Sequence, residues 1–380
     1  MGAEGDGRLN GDGRPALHVC HVLAAGEYGG LESVVELLTQ GQAEAGHRVS
    51  VVLILEPGKT PHAFESTLLA AGREVQTIRL GARAYRAQQQ ALREKLRALR
   101  PDVVHGHGYQ ADIHLAMAAR AASVASVSTV HGFTGGGFKM RLYEALHLRA
   151  LRRIDRVVAV SAPIVSRLEA AGVPESRIRL VRNAWAASTE GLDRAEARAA
   201  LDLPDDGFVI GWVGRLSFEK GADQLVAALA HVADRRAHVC FVGDGPEEAA
   251  LREQVAQRGL EARVHFSGAR AGAGRFFKAF DVYALSSRTE GTPMVLFEAA
   301  SAGVPIVATA VGGVPDVLSP EEAVLVESED PLSLAHAIDG VVAGGRDVEQ
   351  RAARATSRIA DDFAIEPWLG AYDALYRELT

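Results

Sequence analysis

The segment Glu290-Gly-Thr-Pro-Met-Val-Leu-Phe-Glu298 sets two carboxylates at the opening of a helical pattern that follows the apolar run Val282–Leu285. Thr292 suits a helix cap, and Pro293 suits the first helical position, where a missing N–H has no intrahelical partner to lose. The amides of Met294 and Val295 then point outward, and open amides at the positive end of a helix bind anions. A phosphate site follows, beyond the carboxyl ends of the strands, where open α/β sheets hold their ligands. Glu290, ahead of the helix, can accept hydrogen bonds from sugar hydroxyls. Glu298, nearly two turns in on the same side, can grip a ribose diol. As a lone pair these glutamates would be read as solvated helix charges; the apolar setting and the flanking Gly291 and Pro293 argue against that.

A second loop strengthens the case. After the strand-like run Val209–Val213, the sequence Gly214-Arg-Leu-Ser-Phe-Glu-Lys220-Gly221 presents two cations before another helical pattern. Arg215 offers a planar fork to phosphate oxygens, and Lys220 adds a point charge. Beside an anion-binding helix end, the two form a clamp for a diphosphate.

The elements that must carry these loops are legible as an alternation of short apolar runs and helix-patterned stretches, the signature of βαβ units around parallel sheets. Strands are expected at Leu17–Leu23, Val49–Leu55, Val75–Ile78, Val103–His105, Val124–Val130, Val157–Val160 and Ile178–Val181. A second set is expected at Val209–Val213, His238–Val242, Val264–Phe266, Val282–Leu285, Pro305–Ala308 and Ala323–Val326. The clearest helix, Ala84–Leu99, stops at Arg100-Pro101, where the proline ring blocks continuation. Residues 184–206 lack a strand signal and read as the connection between two domains. A final amphipathic helix is expected over Glu366–Leu379.

The chain has 380 residues, 48% of them hydrophobic and 23% charged, enough apolar surface for two cores and little room for extended disorder. Met1–Arg14 is Gly- and Asp-rich and is expected to be a mobile tail, not a secretory signal. A net charge of −7 argues against nucleic acid as a partner. That average conceals an asymmetry: residues 1–190 carry 23 Lys+Arg against 18 Asp+Glu, and the remainder 18 against 30. The two cysteines, Cys20 and Cys240, lie far apart in strand-like runs and read as buried thiols, consistent with a reducing cytoplasm.

Further short stretches join the two loops: Gly29-Gly30-Leu31-Glu32 after the first strand, Val130-His131-Gly132-Phe133, Val160-Ser161, Gly243-Asp244-Gly245-Pro246 and Gly312-Gly313-Val314-Pro315. Together with Gly214–Gly221 and Glu290–Glu298, they make the chain resemble the retaining family-four glycosyltransferases of the GT-B fold over nearly its whole length beyond the tail. The resemblance implies an α/β GT-B architecture of two Rossmann-like domains facing each other across a cleft. Residues 15–190 would form the acceptor domain, 191–362 the nucleotide-sugar donor domain, and 363–380 a helix crossing back to the first, with 1–14 as the tail.

The same resemblance implies a hexosyltransferase that moves a sugar from a nucleotide diphosphate donor, UDP or GDP type, to a hydroxyl of a glycan, glycolipid or small molecule. Arg215 and Lys220 would hold the diphosphate and stabilise the charge that grows as the sugar leaves. Glu290 would contact the donor sugar and Glu298 the ribose, with Thr292, Met294 and Val295 at the helix tip and the base near Gly268–Arg270. Gly29 and Gly30 would let backbone approach the phosphates, and His131 would lie near the reacting carbon. Retention in this family needs no enzyme nucleophile: the acceptor attacks from the leaving group's face and a donor phosphate oxygen takes its proton. No metal and no further cofactor are implied. One departure concerns a turn, Asn183-Ala184-Trp185, where the family often has Asn-Gly.

Two other features carry their own readings. The histidines His105, His107 and His114 hint at zinc, but His-x-His at a strand end with no further ligand is a weak pattern, and no metal is expected. Residues 139–156 interleave Lys139, Arg141, Arg149, Arg152, Arg153 and Arg156 with Leu142, Leu146, Leu148 and Leu151. Such a stretch reads either as a peripheral contact with anionic membrane or as a solvated basic face. Competing readings are a GT-B sugar-nucleotide epimerase, a non-catalytic nucleotide-sugar binder and an NAD-dependent oxidoreductase, the last suggested by Gly26-x-x-Gly29-Gly30 after a strand and Glu56 at the end of the next.

Overall fold

A computed structural model describes residues 10, 13–26, 29–58, 62–81, 84–133, 138–185 and 191–380, the side chains of 138 and 139 excepted. Most of the expected Met1–Arg14 tail lies outside the described residues. The chain divides into two compact units, one of Met1–Gly132, Gly136–Ala184 and Ile365–Thr380, the other of Phe133–Gly135 and Trp185–Ala364.

The first unit holds seven strands: β1 (His18–Leu23), β2 (Arg48–Leu55), β3 (Glu74–Arg79), β4 (Val103–His107), β5 (Ala125–Val130), β6 (Arg156–Ala159) and β7 (Ile178–Leu180). They form one sheet in the order β3-β2-β1-β4-β5-β6-β7, with every pairing parallel. Near-continuous apolar runs such as Val-Ser-Val-Val-Leu-Ile-Leu in β2 fit strands covered on both faces. The helix expected over Ala84–Leu99 runs Tyr85–Leu99 and ends with Arg100 in the left-handed conformation, ahead of Pro101. The last helix, Ile365–Arg377, belongs to this unit and buries Trp368, Tyr372, Leu375 and Tyr376.

The second unit holds six strands: β8 (Phe208–Val213), β9 (Ala237–Val242), β10 (Val264–Gly268), β11 (Val282–Leu285), β12 (Ile306–Thr309) and β13 (Val324–Val326). Their order is β10-β9-β8-β11-β12-β13, again wholly parallel. Side chains alternate across the sheet. Along β11, Tyr283 and Leu285 enter the core that includes Phe277, Phe297 and Phe363, while Val282 and Ala284 enter the one that includes Trp212 and Phe241. The strand order reverses between β1 and β4 in one unit and between β8 and β11 in the other, and such switch points open crevices at the strands' carboxyl ends.

Candidate active site

The two loops singled out by sequence leave β8 and β11, the neighbours at the switch point of the second unit. Lys220 closes a short 3-10 turn, Phe218–Lys220, and Gly221 follows at φ 62. A Cβ on Gly221 would collide with the Ser286 carbonyl oxygen, so the close approach of the β8 and β11 loops requires glycine there. Ser286 Oγ donates to the Gly221 carbonyl at 2.7 Å. Arg288 staples the loops from outside. Its guanidinium donates to the Phe218 carbonyl at 2.7 Å, pairs with Asp223 and Glu329, and stacks 4.1 Å from the Phe218 ring centroid.

Within this frame Lys220 Nζ donates to both oxygens of Glu290, at 2.8 and 2.9 Å. Ser287 Oγ donates to Glu290 Oε1 at 2.6 Å. The Glu290 side chain is only 5% exposed against 31% for Lys220, so the carboxylate is a fixed element of the loop and not a charge on a free turn. Of the two cations singled out by sequence, Lys220 has a carboxylate partner, whereas Arg215 is exposed and no described residue pairs with its guanidinium. Behind Glu290, Thr309 Oγ1 donates to the Ser287 carbonyl at 2.7 Å. A Cβ on Gly312, which sits at φ 53, would collide with the Glu290 carbonyl oxygen.

The helix after Glu290 starts one position later than its sequence suggests. It runs Met294–Ser301, with Pro293 in the cap position at φ −73 and ψ 102, so Thr292 is not the cap. The reason is local: Pro293 keeps a helical φ but its ψ of 102 is extended, so it stays outside the helix and the boundary moves one residue past it. The Leu296 amide is taken by the Pro293 carbonyl at 3.0 Å, and Met294 and Val295 are the first two residues of the helix. Glu298 lies partly buried along it, and no described residue hydrogen-bonds its carboxylate. Desolvation raises its pKa to about 7. Tyr283, fully buried, feels the charges of both glutamates: burial first, then Glu290 and Glu298, push its phenol well above the usual range. Arg270 is exposed beyond β10.

A buried carboxylate locked by an ammonium, a second carboxylate with open lone pairs, and an unpaired guanidinium can together hold a polyhydroxylated anion. Comparison with known proteins gives that arrangement a family. The profile described as Glycosyl transferases group 1 matches residues 193–358, and that described as Glycosyltransferase Family 4 matches residues 28–185. The chain belongs to the group 1 glycosyltransferases. It is 28% identical over 372 residues to a glycogen synthase of Mycobacterium tuberculosis, 88% of this chain and 87% of that one. It is 27% identical over 245 residues to the lipopolysaccharide core biosynthesis mannosyltransferase LpsB of Rhizobium meliloti, 60% and 67% of the two chains. Its fold matches Anabaena HepE, solved in complex with UDP and glucose, with a TM-score of 0.84 at 20% identity over 95% of this chain and 100% of that one. The architecture is GT-B, and the activity is glycosyl transfer.

In the other unit of this glycosyltransferase, Gly29 precedes the helix Gly30–Glu44, and the Glu32 carboxylate folds back to accept the amides of Gly26 at 3.2 Å and Gly29 at 3.1 Å. Glu32 is buried, and desolvation raises its pKa. An anion expected at this loop would therefore find the Gly29 amide taken and a carboxylate beside it. The same contacts occupy the Gly26 and Gly29 amides that the dinucleotide reading would use.

His131 follows β5 and is partly exposed; desolvation lowers its pKa to about 4. Its Nε2 lies 3.1 Å from His107 Nδ1. His105 and His107 are buried together with His21, and potential ligand atoms of these three lie within 4.8 Å of one another. All six ring nitrogens are already engaged: His21 with His107 and Gln42, His105 with Tyr376 and Thr129, His107 with His21 and His131. An ion would have to displace these bonds. His114 stands apart from the group, bonded to Gln88 at 2.9 Å. Sequence reading missed His21, Gln42, Ser287 and Arg288; the only trace of the first was the parity that His105 and His107 share on one strand.

The buried thiols of Cys20 and Cys240 are free, and burial pushes them up to about 12 and about 11. The turn at Asn183-Ala184-Trp185 is held by Trp185, whose amide donates to the Phe363 carbonyl and whose indole donates to Ser301 Oγ at 2.7 Å. Along the helix Phe138–Leu151, Leu142 and Leu146 are 56% and 48% exposed, with Arg141 and Arg149 exposed beside them. The side chain of Lys139 lies outside the described residues. No helix among the described residues is long and apolar enough to cross a membrane.

Proposed function

We propose that the chain is a retaining, metal-independent glycosyltransferase that takes a nucleotide diphosphate sugar, UDP or GDP type, as donor. The observation that carries this reading is the contrast at the second unit's switch point. Glu290 is held rigidly by Lys220 and Ser287, while Glu298 and Arg215 are left with open hydrogen-bonding capacity. Arg215 and Lys220 take the diphosphate, Glu290 orients a sugar hydroxyl, Glu298 receives the ribose diol, and Arg270 lies toward the base. The UDP and glucose bound by Anabaena HepE support a donor of this class.

Within this retaining reading, Glu290, tied to a cation and a hydroxyl, is a poor nucleophile for a double displacement, so the acceptor attacks from the leaving group's face with no covalent glycosyl-enzyme. Following donor cleavage and product anomeric configuration by NMR across a panel of nucleotide sugars tests the reading. An α-linked donor should give an α-linked product at an unchanged rate in EDTA. An inverted product, or activity lost to EDTA and restored by Mg²⁺, would contradict it. The acceptor is proposed to be a glycan, a lipid-linked sugar or a small molecule at the cytoplasmic side. The exposed leucines and arginines of Phe138–Leu151 are proposed to meet anionic membrane, and co-sedimentation with anionic but not neutral vesicles is the expected result.

A further inference from the structure

The buried histidines of the first unit are connected in a way that the proposed chemistry does not use. His21 on β1 lies level with His105 on β4, and His107 lies level with Thr129 on β5. Alternation along strands therefore puts His21, His105, His107 and Thr129 on one face of the sheet. Gln42, from the helix Gly30–Glu44, and Tyr372 and Tyr376, from the helix Ile365–Arg377, hydrogen-bond into that set.

The bonds form a single path. His131 Nε2 meets His107 Nδ1 at 3.1 Å, His107 Nε2 meets His21 Nδ1 at 3.0 Å, and His21 Nε2 meets Gln42 Oε1 at 2.8 Å. Gln42 Nε2 donates to the Tyr376 hydroxyl at 3.1 Å, which lies 2.8 Å from His105 Nδ1. A neutral imidazole has one donor nitrogen and one acceptor, so a row of bridged rings has a single direction of donation. Desolvation keeps the rings neutral: it lowers His21 to about 4 and His107 well below its ordinary range.

Gln42 decides that direction. Its carbonyl oxygen can only accept, so His21 carries its proton on Nε2 and accepts at Nδ1. His107 must then donate from Nε2 and accept at Nδ1. His131 in turn donates from Nε2, and its Nδ1 is left as an acceptor that no described residue occupies. Were the Gln42 amide turned over, every proton in the row would shift to the other nitrogen and His131 would present a donor.

We propose that Gln42, His21 and His107 are positioning residues that hold His131 as its Nε2–H tautomer, with the Nδ1 lone pair available to a substrate hydroxyl. This rests on reading His131 as a substrate contact, but the tautomer itself can be measured without any turnover. Long-range ¹H–¹⁵N NMR of the full-length wild-type protein at pH 7.5 reports the protonated nitrogen of each imidazole. His131, His107 and His21 should all appear as Nε2–H; an Nδ1–H pattern at His131 would overturn the proposal.

Gln42→Leu supplies the second arm. The substitution touches neither His107 nor His131, yet it removes the anchor of the row. The His131 spectrum should change to a mixture of tautomers and kcat should fall about tenfold, the loss of one well-placed hydrogen bond, with KM for the donor little changed. An unaltered His131 spectrum in folded Gln42→Leu would remove the positioning role. A shifted tautomer with wild-type kcat would show that the row exists but does not serve catalysis. Absence of any transferase activity in the wild type would leave the spectrum unaffected and would count against the proposed function instead.

Discussion

At the switch point of the second unit the polar groups are charged, with Lys220 on Glu290 and Arg215 exposed. The first unit fills its own switch point, between β1 and β4, with the uncharged rings of His21, His105 and His107. Lys220 and Glu290 stand on loops that leave the carboxyl ends of their strands, whereas His21 and His105 lie within theirs and His107 ends one, so the difference lies in what each arrangement is asked to meet. A phosphate-bearing ligand needs cations kept partly wet, as Lys220 and Arg215 are, and a buried carboxylate such as Glu290 keeps its charge there because Lys220 and Ser287 bond it. A neutral row needs the opposite, full burial, because imidazoles in water would take up protons and lose a defined direction of donation.

The sharpest way to break this comparison is to cut each charge of the second unit in turn. Lys220→Ala and Arg215→Ala should each lower kcat by about 10²–10³-fold, the usual cost of removing one group that stabilises developing charge. Their stabilities should differ. Removing Lys220 leaves the 5% exposed Glu290 carboxylate with Ser287 as its remaining partner, at a cost of about 1–3 kcal/mol. Removing the exposed Arg215 should stay within about 0.5 kcal/mol. Kinetics paired with urea unfolding distinguishes the two; equal destabilisation would mean that Glu290 does not depend on Lys220.

Acidity should act in opposite directions on His21 and on Glu298. His21 titrates near 4 when folded and near 6.5 when unfolded, so its contribution to stability is complete above about pH 6.5 and is lost as pH falls toward 4. At pH 5 that loss is about 2 kcal/mol for His21 alone. Glu298 has the reverse sign. Its folded pKa of about 7 exceeds the unfolded 4.5, so its contribution is present below about pH 4.5 and is lost as pH rises through 7. Hydrogen exchange followed by mass spectrometry, corrected for intrinsic rates, should find the strand His18–Leu23 around His21 less protected at pH 5 than at pH 8, and the helix Met294–Ser301 around Glu298 not. Parallel loss in both would erase the distinction.

Two smaller effects sharpen the account of the second unit. Gly312→Ala should cost about 1–2 kcal/mol and disturb Glu290, because a Cβ there meets the Glu290 carbonyl at a left-handed φ. Activity should fall with it, and normal turnover would show that the Glu290 backbone has room to move. Glu298→Gln should raise stability at pH 8 by about 1 kcal/mol by removing a desolvated charge, while weakening donor binding several-fold. Calorimetric unfolding and donor KM read the two terms separately.

Much of this was legible in the residues alone. All thirteen strands stand where apolar, β-branched runs place them, and Arg100-Pro101 ends its helix as proline chemistry requires. The Glu290–Glu298 and Gly214–Gly221 segments were recognisable because glycine, proline and paired charges punctuate apolar pattern. What sequence could not yield are relations across distance. The Lys220–Glu290 pair joins residues seventy positions apart, and nothing in either loop alone shows that the ammonium also holds the carboxylate. Pro293 shifted the helix start by one residue, a detail that depends on a single ψ angle. The histidine path depends on β1 and β4 being neighbours with His21 level with His105, and nothing in either strand alone specifies that register.

The proposed function requires the charges of the second unit to hold a diphosphate. Isothermal titration of the wild type and of Arg215→Ala with UDP and with UMP tests it most directly. Wild type should bind UDP at least about tenfold more tightly than UMP, since the extra phosphate gains a charge-assisted hydrogen bond. Arg215→Ala should lose most of that preference while binding UMP nearly as before. Equal affinity of the wild type for the two nucleotides, or an undiminished preference in Arg215→Ala, would contradict the claim.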